Sequence, residues 1–402
     1  MNDTGATRRA DAMTSVERRA AAGLAAIMAS RMLGLFLILP IFALYAPELS
    51  GATPTLIGLA IGAYGLSQAL LQIPMGAASD RWGRQPVIVA GLLLFVAGSA
   101  VAALSEHIYG VIAGRLLQGA GAISAAVMAL AADLTRESQR TKIMASLGVS
   151  IGGSFMLAMV LGPLLAGWIG LSGVFWSMAL LAVAAIALLL VLVPKPTRAA
   201  APTAGPLMPQ IAQVLRDPRM LRLNFGIFAL HAILTAGFVA LPVLLQDELG
   251  LGREAHWQFY VPILLLSVLG MVPVIMIGER RKRMPQVLAG AVLTLVLVEL
   301  ALAVAGGWPP LMLAALWLYF TAFNVLEASL PSLVSKVAPA RVKGAALGVY
   351  ATTQFLGAFL GGAVGGALFG RFGVQGVFLG CALLAGLWLA SALGLKVPPP
   401  AK

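Results

Sequence analysis

Gly76-Ala77-Ala78-Ser79-Asp80-Arg81-Trp82-Gly83-Arg84-Gln85 is a short charged turn, with one acid and two arginines, between two long apolar runs. A turn this short between segments of membrane length makes them antiparallel neighbours and puts its charges at the membrane surface. There the charges can pair with whatever other helix ends reach the same face.

The rest of the composition agrees with a membrane setting. Of 402 residues, 60% are hydrophobic and only 10% are charged, with a mean hydropathy of +0.95. A soluble domain carries about a quarter charged residues, so an all-α integral membrane protein is expected. The single cysteine, Cys381, excludes an intramolecular disulfide, and His107, His231 and His256 are far apart in sequence. No metal site and no cofactor is expected. No phosphate-binding G-x-x-x-x-G-K-[ST] loop, zinc-ligand set or nucleophile elbow is present, so neither an ATP-driven pump nor an enzyme is indicated.

A membrane helix needs about 20 apolar residues. Runs of that size fall at 20–46, 55–78, 86–105, 108–132, 143–169 and 173–194, and again at 223–246, 257–278, 285–306, 309–335, 344–369 and 374–395. The expected organisation is a tail (1–19), a six-helix half (20–194), a linker (195–222), a second six-helix half (223–396) and a short tail (397–402). The linker is rich in proline and basic residues, with a surface helix expected from Met208 to Leu215.

The excess of 27 Lys and Arg over 15 Asp and Glu is explained by position rather than by nucleic acid. Arg81 and Arg84, Arg136 to Lys142, Lys195 to Arg222, Arg280 to Arg283, Lys336 to Lys343 and Lys396 all fall in alternate loops or at the chain ends. The intervening loops hold only Arg253 and Arg371, beside Glu48, Glu106, Asp247, Glu248 and Glu254. The positive-inside rule then places both termini in the cytoplasm. An internal repeat supports the two halves: Ala145-Ser146-Leu147-Gly148-Val149 returns as Ala345-Ala346-Leu347-Gly348-Val349, and Phe155, Ala158, Gly162 and Gly170 match Phe355, Ala358, Gly362 and Gly370. The loop Gly278 to Arg283 stands where a degraded second copy of the opening turn would fall.

These features resemble the major facilitator superfamily over nearly the whole chain. Gly76-x-x-x-Asp80-Arg81-x-Gly83-Arg84 is similar to that family's loop 2–3 motif, with Gln85 where a basic residue is common. Arg115-x-x-Gln118-Gly119 resembles the helix-four motif tied to proton transfer. Gly153 and Gly162-Pro163-x-x-Ala166-Gly167 resemble the antiporter-associated motif, with Ala166 replacing a glycine. Phe323-Asn324-x-x-Glu327, Pro331-Ser332-Leu333, Lys343-Gly344 and Arg31 together look like the YajR-like branch of drug-efflux carriers. Some members of that branch carry a soluble domain after helix twelve, and none is expected before the last residue, Lys402.

The resemblance implies twelve helices in two pseudo-symmetric halves, with the opening turn as a cytoplasmic latch. Asp80 is expected to dock on the amide groups at the start of helix eleven, near Gly344, and Arg84 to pair with Asp133. Gly76 is expected to let helices two and eleven approach, and Gly83 to permit the tight turn. The bland alternative is a solvated topology signal.

Charges inside membrane helices are costly and usually functional. They are Arg31, Arg115, Glu299 and Glu327, with His231 as a protonatable partner. Four of these lie on helices one, four, seven and ten, which line the central cavity in the family's fold. His231 and Glu327 each sit nine residues from a basic flank, Arg222 and Lys336, hence roughly 13 Å deep at about 1.5 Å per residue. Glu327 with His231 is therefore expected to bind and release the coupled proton, with Arg115 modulating the proton site; the alternative is a structural network of Glu327 and Asn324 with helix seven. Arg31 attracts an anionic substrate or caps helix carbonyls. Glu299, on a peripheral helix, is expected to be a locally hydrogen-bonded or snorkelled group. Gln118, Asn324, Phe228, Phe320 and Phe323 complete the cavity candidates, though aromatics at helical spacing are more often packing.

The reading is a proton-driven antiporter of the bacterial inner membrane, exporting small lipophilic or amphipathic compounds by alternating access. The expected partners are the bilayer, protons and a small-molecule substrate, without nucleic acid and with the chain as a monomer. The alternatives are a proton-coupled or facilitative metabolite importer and, from another class, a non-transporting receptor or assembly factor.

Overall fold

The computed structural model describes residues 13–195, 207–306 and 308–394. Residues 1–12 of the expected tail 1–19, residues 395–402 with the expected tail 397–402, and the proline-rich part of the linker, 196–206, lie outside them; residues 15–19, expected in the tail, instead open the first helix. Among the described residues the regular structure is helical, with one isolated bridge between Ser50 and His107.

The helices are α1 (Ser15–Phe36), α2 (Pro54–Trp82), α3 (Arg84–Ala103) and α4 (Ile108–Asp133, broken at 121–123). The long helix Glu137–Leu192 is two helices, α5 (137–169) and α6 (171–192), joined at Gly170 with φ 68°. Then come α7 (Pro218–Leu249), α8 (Trp257–Arg280), α9 (Met284–Val304) and α10 (Pro309–Val337). Lys343–Leu393 again divides, at Gly373 with φ 65°, into α11 (343–372) and α12 (374–393). Among the described residues ten helices are long and apolar enough to cross a membrane, and the two doubled ones bring the crossings there to twelve.

Local chemistry sets the helix ends. Thr14 and Glu17 form a reciprocal capping box at the start of α1. Thr53 caps α2 ahead of Pro54, and Asp217 caps α7 ahead of Pro218. The first apolar run is not one helix to residue 46. It breaks at 37–41, where Pro40 lacks an amide donor, and resumes as the short helix Phe42–Tyr45. Gly83 alone separates α2 from α3; its φ of 96° and ψ of 150° belong to a region open essentially to glycine. The repeat needs one correction: the counterpart of the joint at Gly170 is Gly373, whereas Gly370 is helical and packs against Pro54.

The two halves meet most closely where α2 lies on α11. A Cβ on Gly58 would stand 2.6 Å from the Cα of Gly366, so the backbones touch there because both residues are glycine. This contact is at the start of α2, on the face opposite the Gly76–Gln85 turn. On that same face Arg253 of the α7–α8 connection reaches Glu48 across the halves, Nη1 to Oε1 at 2.6 Å, with its guanidinium 4.1 Å from the Tyr45 ring centroid. Glu48 holds the Arg253 charge above its ordinary pKa. Toward the turn the helices part: Gly76 faces Ala125 of α4 rather than α11, and nothing lies within 4 Å of a Cβ on Gly344. The expectation that Gly76 brings α2 to α11 is corrected accordingly; Gly58 and Gly366 do so at the other end. The bundle is therefore closed on one face and parted on the basic one. In the linker, the helix Leu207–Arg216 lies against the α10–α11 connection through a bond from Arg341 to Gln213, 3.1 Å.

Candidate functional site

Two polar clusters interrupt the apolar interior. The first joins α7, α10 and α11. His231 Nε2 lies 3.8 Å from Glu327 Oε2, and the Gln354 side-chain nitrogen sits 2.8 Å from His231 Nε2 and 3.4 Å from Glu327 Oε1. The Glu327 side chain is 36% exposed although it is deep in a spanning helix and on the side turned to α7 and α11. Exposure there is that of a cleft inside the bundle, open where the halves part. With the Gln354 side-chain nitrogen turned to both partners, His231 Nε2 and Glu327 Oε1 both accept from it. A proton arriving at His231 converts Nε2 into a donor aimed at Glu327 and makes Gln354 turn its oxygen inward. The cluster thus has two hydrogen-bond arrangements that differ by one proton.

Around this pair stands an aromatic wall. Phe155 of α5 contacts Phe36 (ring centroids 5.3 Å), Phe238 (6.3 Å), Phe320 (6.4 Å) and Phe323 (6.4 Å), and Phe323 also meets the His231 ring at 6.0 Å. Phe323 thus stands beside His231, whereas Phe320 joins the wall through Phe155 and Tyr319. Phe228 does neither; it stacks on Phe225, and its carbonyl backs Gly357. Asn324 turns away as well, donating to Ser267 of α8 at 2.9 Å. The network of Asn324 and Glu327 with helix seven does not form, because the two side chains point to different neighbours.

The second cluster lies in the first half. Arg31 donates to Gln68 (2.5 Å), to the Gly121 carbonyl (3.0 Å) and to Ser124 (3.3 Å). The break in α4 leaves that carbonyl free, so Arg31 caps it. Arg115 donates to Gln118 at 2.8 Å, which in turn donates to Ser99 at 2.8 Å. Arg115 meets neither His231 nor Glu327; Tyr64, itself 6.3 Å from Phe355, intervenes.

At the Gly76–Gln85 turn, Arg84 pairs with Asp133 at 3.1 Å, as expected. It also holds Ser79 (2.7 Å) and Asp80 (2.5 Å). The expected docking of Asp80 on the start of α11 is not made, because that face is parted and Arg84 is the nearer partner; Arg81 is exposed. In the antiporter-like stretch, a Cβ on Gly162 would lie 2.8 Å from the Leu37 carbonyl and one on Gly167 would lie 3.0 Å from Glu254 Cβ. Pro163 sits within α5, and Gly153 faces open space. Glu299 is not snorkelled: its helix lies outside the others but its side chain turns inward, only 1% exposed, toward Tyr319 of α10 and Cys381 of α12, and its Oε2 has no partner. Sequence reasoning missed Gln354, Phe155, Tyr64 and Gln68. A polar stripe at 64, 68 and 72 on one face of α2, and a lone glutamine in apolar α11, were the available signals.

The Major Facilitator Superfamily model matches residues 24–362. The inner membrane transport protein YajR of Escherichia coli K12 is 48% identical over 390 residues, covering 96% of this chain and 85% of that protein. The multidrug resistance protein MdtH of Aeromonas salmonicida is 26% identical, with 86% of each chain covered. Among solved structures, a bacterial homologue of the human lysosomal transporter Spinster, inward-facing and occupied, superposes with a TM-score of 0.79 at 12% identity, covering 95% of this chain and 97% of its own.

Proposed function

The chain belongs to the Major Facilitator Superfamily, and from that premise we propose that it is a proton-coupled antiporter exporting small lipophilic or amphipathic compounds across the bacterial inner membrane. It is a membrane transporter and not an enzyme. The observation that carries proton coupling is the His231–Glu327–Gln354 cluster: an acid, a base and an amide in contact, deep in the bundle and reachable from one face. A carboxylate in such a place is costly unless it changes its protonation state in the cycle. The proton gradient is the energy source, and no cofactor takes part.

The route of a cycle follows from the two clamps. With the basic face cytoplasmic, the described state is open to the cytoplasm, held shut on the other side by Gly58 against Gly366 and by Arg253 with Glu48. Cargo enters against the Phe155 wall, and Glu327 gives up its proton. When the basic face closes, the start of α11 comes to Asp80, whose carboxylate suits the positive end of a helix. Arg84 and Asp133 keep the turn in shape throughout. The likeness in name to a multidrug resistance protein supports the efflux direction, as does the apolar wall.

The test is transport into inverted membrane vesicles with an imposed pH gradient, across a panel of aromatic and amphipathic compounds. Uphill accumulation of at least one compound, collapsed by a protonophore, is the expected result. Accumulation that persists without the gradient would overturn proton coupling, and movement only in the importing direction would overturn export.

A further inference from the structure

Arg31 and Arg115 are each 1% exposed, and both guanidiniums face the ring of Tyr64, at 5.7 and 5.2 Å from its centroid. No carboxylate accompanies them. Among the described residues of the first half, every acid stands at a helix end or in a connecting turn. Glu17 pairs with Arg136, Glu48 with Arg253, and Asp80 and Asp133 with Arg84; Glu106 and Glu137 flank spans. The acceptors that Arg31 and Arg115 do find are neutral: Gln68, Gln118, Ser124 and the Gly121 carbonyl. Neutral dipoles satisfy hydrogen bonds without cancelling two unit charges. Donors are also left over. Arg31 Nε, Arg115 Nε and Nη2 and the Tyr64 hydroxyl are buried and without a partner. A cluster with two cations, three spare guanidinium nitrogens and no acid is built to receive an anion.

We propose that Arg31 and Arg115, with Tyr64 between them, bind the acidic group of the cargo, which is an amphipathic organic acid. The inference rests on the transport reading above and deepens it by naming the substrate class. In the described state the Tyr64 ring lends its negative face to both cations, a weaker substitute for a full negative charge. The rest of the site fits a compound with an apolar body. Arg31 and Phe36 share α1, and Phe36 leads to Phe155 and its wall at 5.3 Å. Tyr64 touches Phe355, the neighbour of Gln354, so the acidic group lies across the α2–α11 contact from the proton pair.

The probes are 2-naphthoate, its neutral amide 2-naphthamide, 2-naphthylmethylamine and chloride, each titrated against the thermal unfolding of the purified full chain at zero pH gradient. Naphthoate is expected to raise the unfolding temperature saturably, while the amide and amine do not. Arg31→Gln and Arg115→Gln are expected to raise the half-saturating concentration at least tenfold. Tyr64→Phe keeps the ring and the fold but loses one donor, and is expected to raise it about threefold, which keeps the proposal testable if an arginine variant does not fold. Equal stabilisation by amide or amine, unchanged binding in all three variants, or stabilisation by chloride that naphthoate does not displace would each overturn the proposal. The measurement needs no proton gradient, so its failure is distinct from a failure of proton coupling.

Discussion

Replacing Arg253 by glutamine removes an ion pair that ties the two halves together on the face opposite the Gly76–Gln85 turn. The magnitude can be worked from the geometry. The side chains of Arg253 and Glu48 are 40% and 65% exposed, so the pair contributes about 0.2–1 kcal/mol despite its 2.6 Å separation. The guanidinium also lies 4.1 Å from the Tyr45 ring centroid, a contact of about 0.5–1 kcal/mol at an exposed site. Together these favour the closed state by about 1–2 kcal/mol, a factor of roughly 5–30 in the ratio of closed to open. Spin labels at Glu106 and Arg371, exposed on that face in different halves, read the ratio by pulsed electron resonance in a Cys381→Ala background. Arg253→Gln should raise the ratio of the long-distance to the short-distance population by that factor. Raising the salt concentration should erode the wild-type preference, because exposed charges are screened. An unchanged distance distribution in Arg253→Gln would refute the assignment of this contact as a clamp.

Other outcomes follow from the same structure. Gly58→Val would drive its side chain into the backbone of α11 at Gly366, and should abolish the closed state and transport in a folded protein, whereas Gly148→Val, with nothing within 4 Å, should leave both unchanged. The spin-label distances above distinguish the two. Asp217→Ala removes the cap of α7 and should lower stability by about 1 kcal/mol in chemical denaturation at neutral pH. Because a hydrogen bond from Arg219 holds the Asp217 carboxyl below its ordinary value when folded, its contribution is present above the unfolded carboxylate pKa of about 4. It is lost as pH falls below that, so variant and wild type should converge in acid. Gln354→Leu leaves His231 and Glu327 without their shared amide and should shift the pH dependence of transport while preserving the fold, measured as initial rate against pH in proteoliposomes.

The crossings were legible because apolar length is a crude signal and a strong one. The joints at Gly170 and Gly373 were visible only as a gap in the runs, since no polar loop marks them, and sequence identity aligned Gly170 with Gly370 when the backbone turns three residues later. His231 and Glu327 could be paired by counting from their basic flanks, because a helix converts residue number into depth. Gln354 could not: an uncharged amide carries no flag in composition, and its importance comes only from the two side chains it touches. Asp80 was assigned the start of α11 as its partner, but in the described state it pairs with Arg84; only under the cycle proposed above does the α11 contact belong to another conformation, and a sequence describing all states at once does not separate them. Glu299 was misplaced because helix number alone does not tell which face of a peripheral helix turns inward.

The most direct measurement for the account is a comparison of Glu327→Gln with wild type in liposomes, following passive exchange and pH-gradient-driven uphill transport of the same compound. The account predicts that exchange survives and uphill transport is lost, because glutamine keeps the shape and hydrogen bonding of Glu327 and cannot carry a proton. Uphill transport at the wild-type level would contradict it.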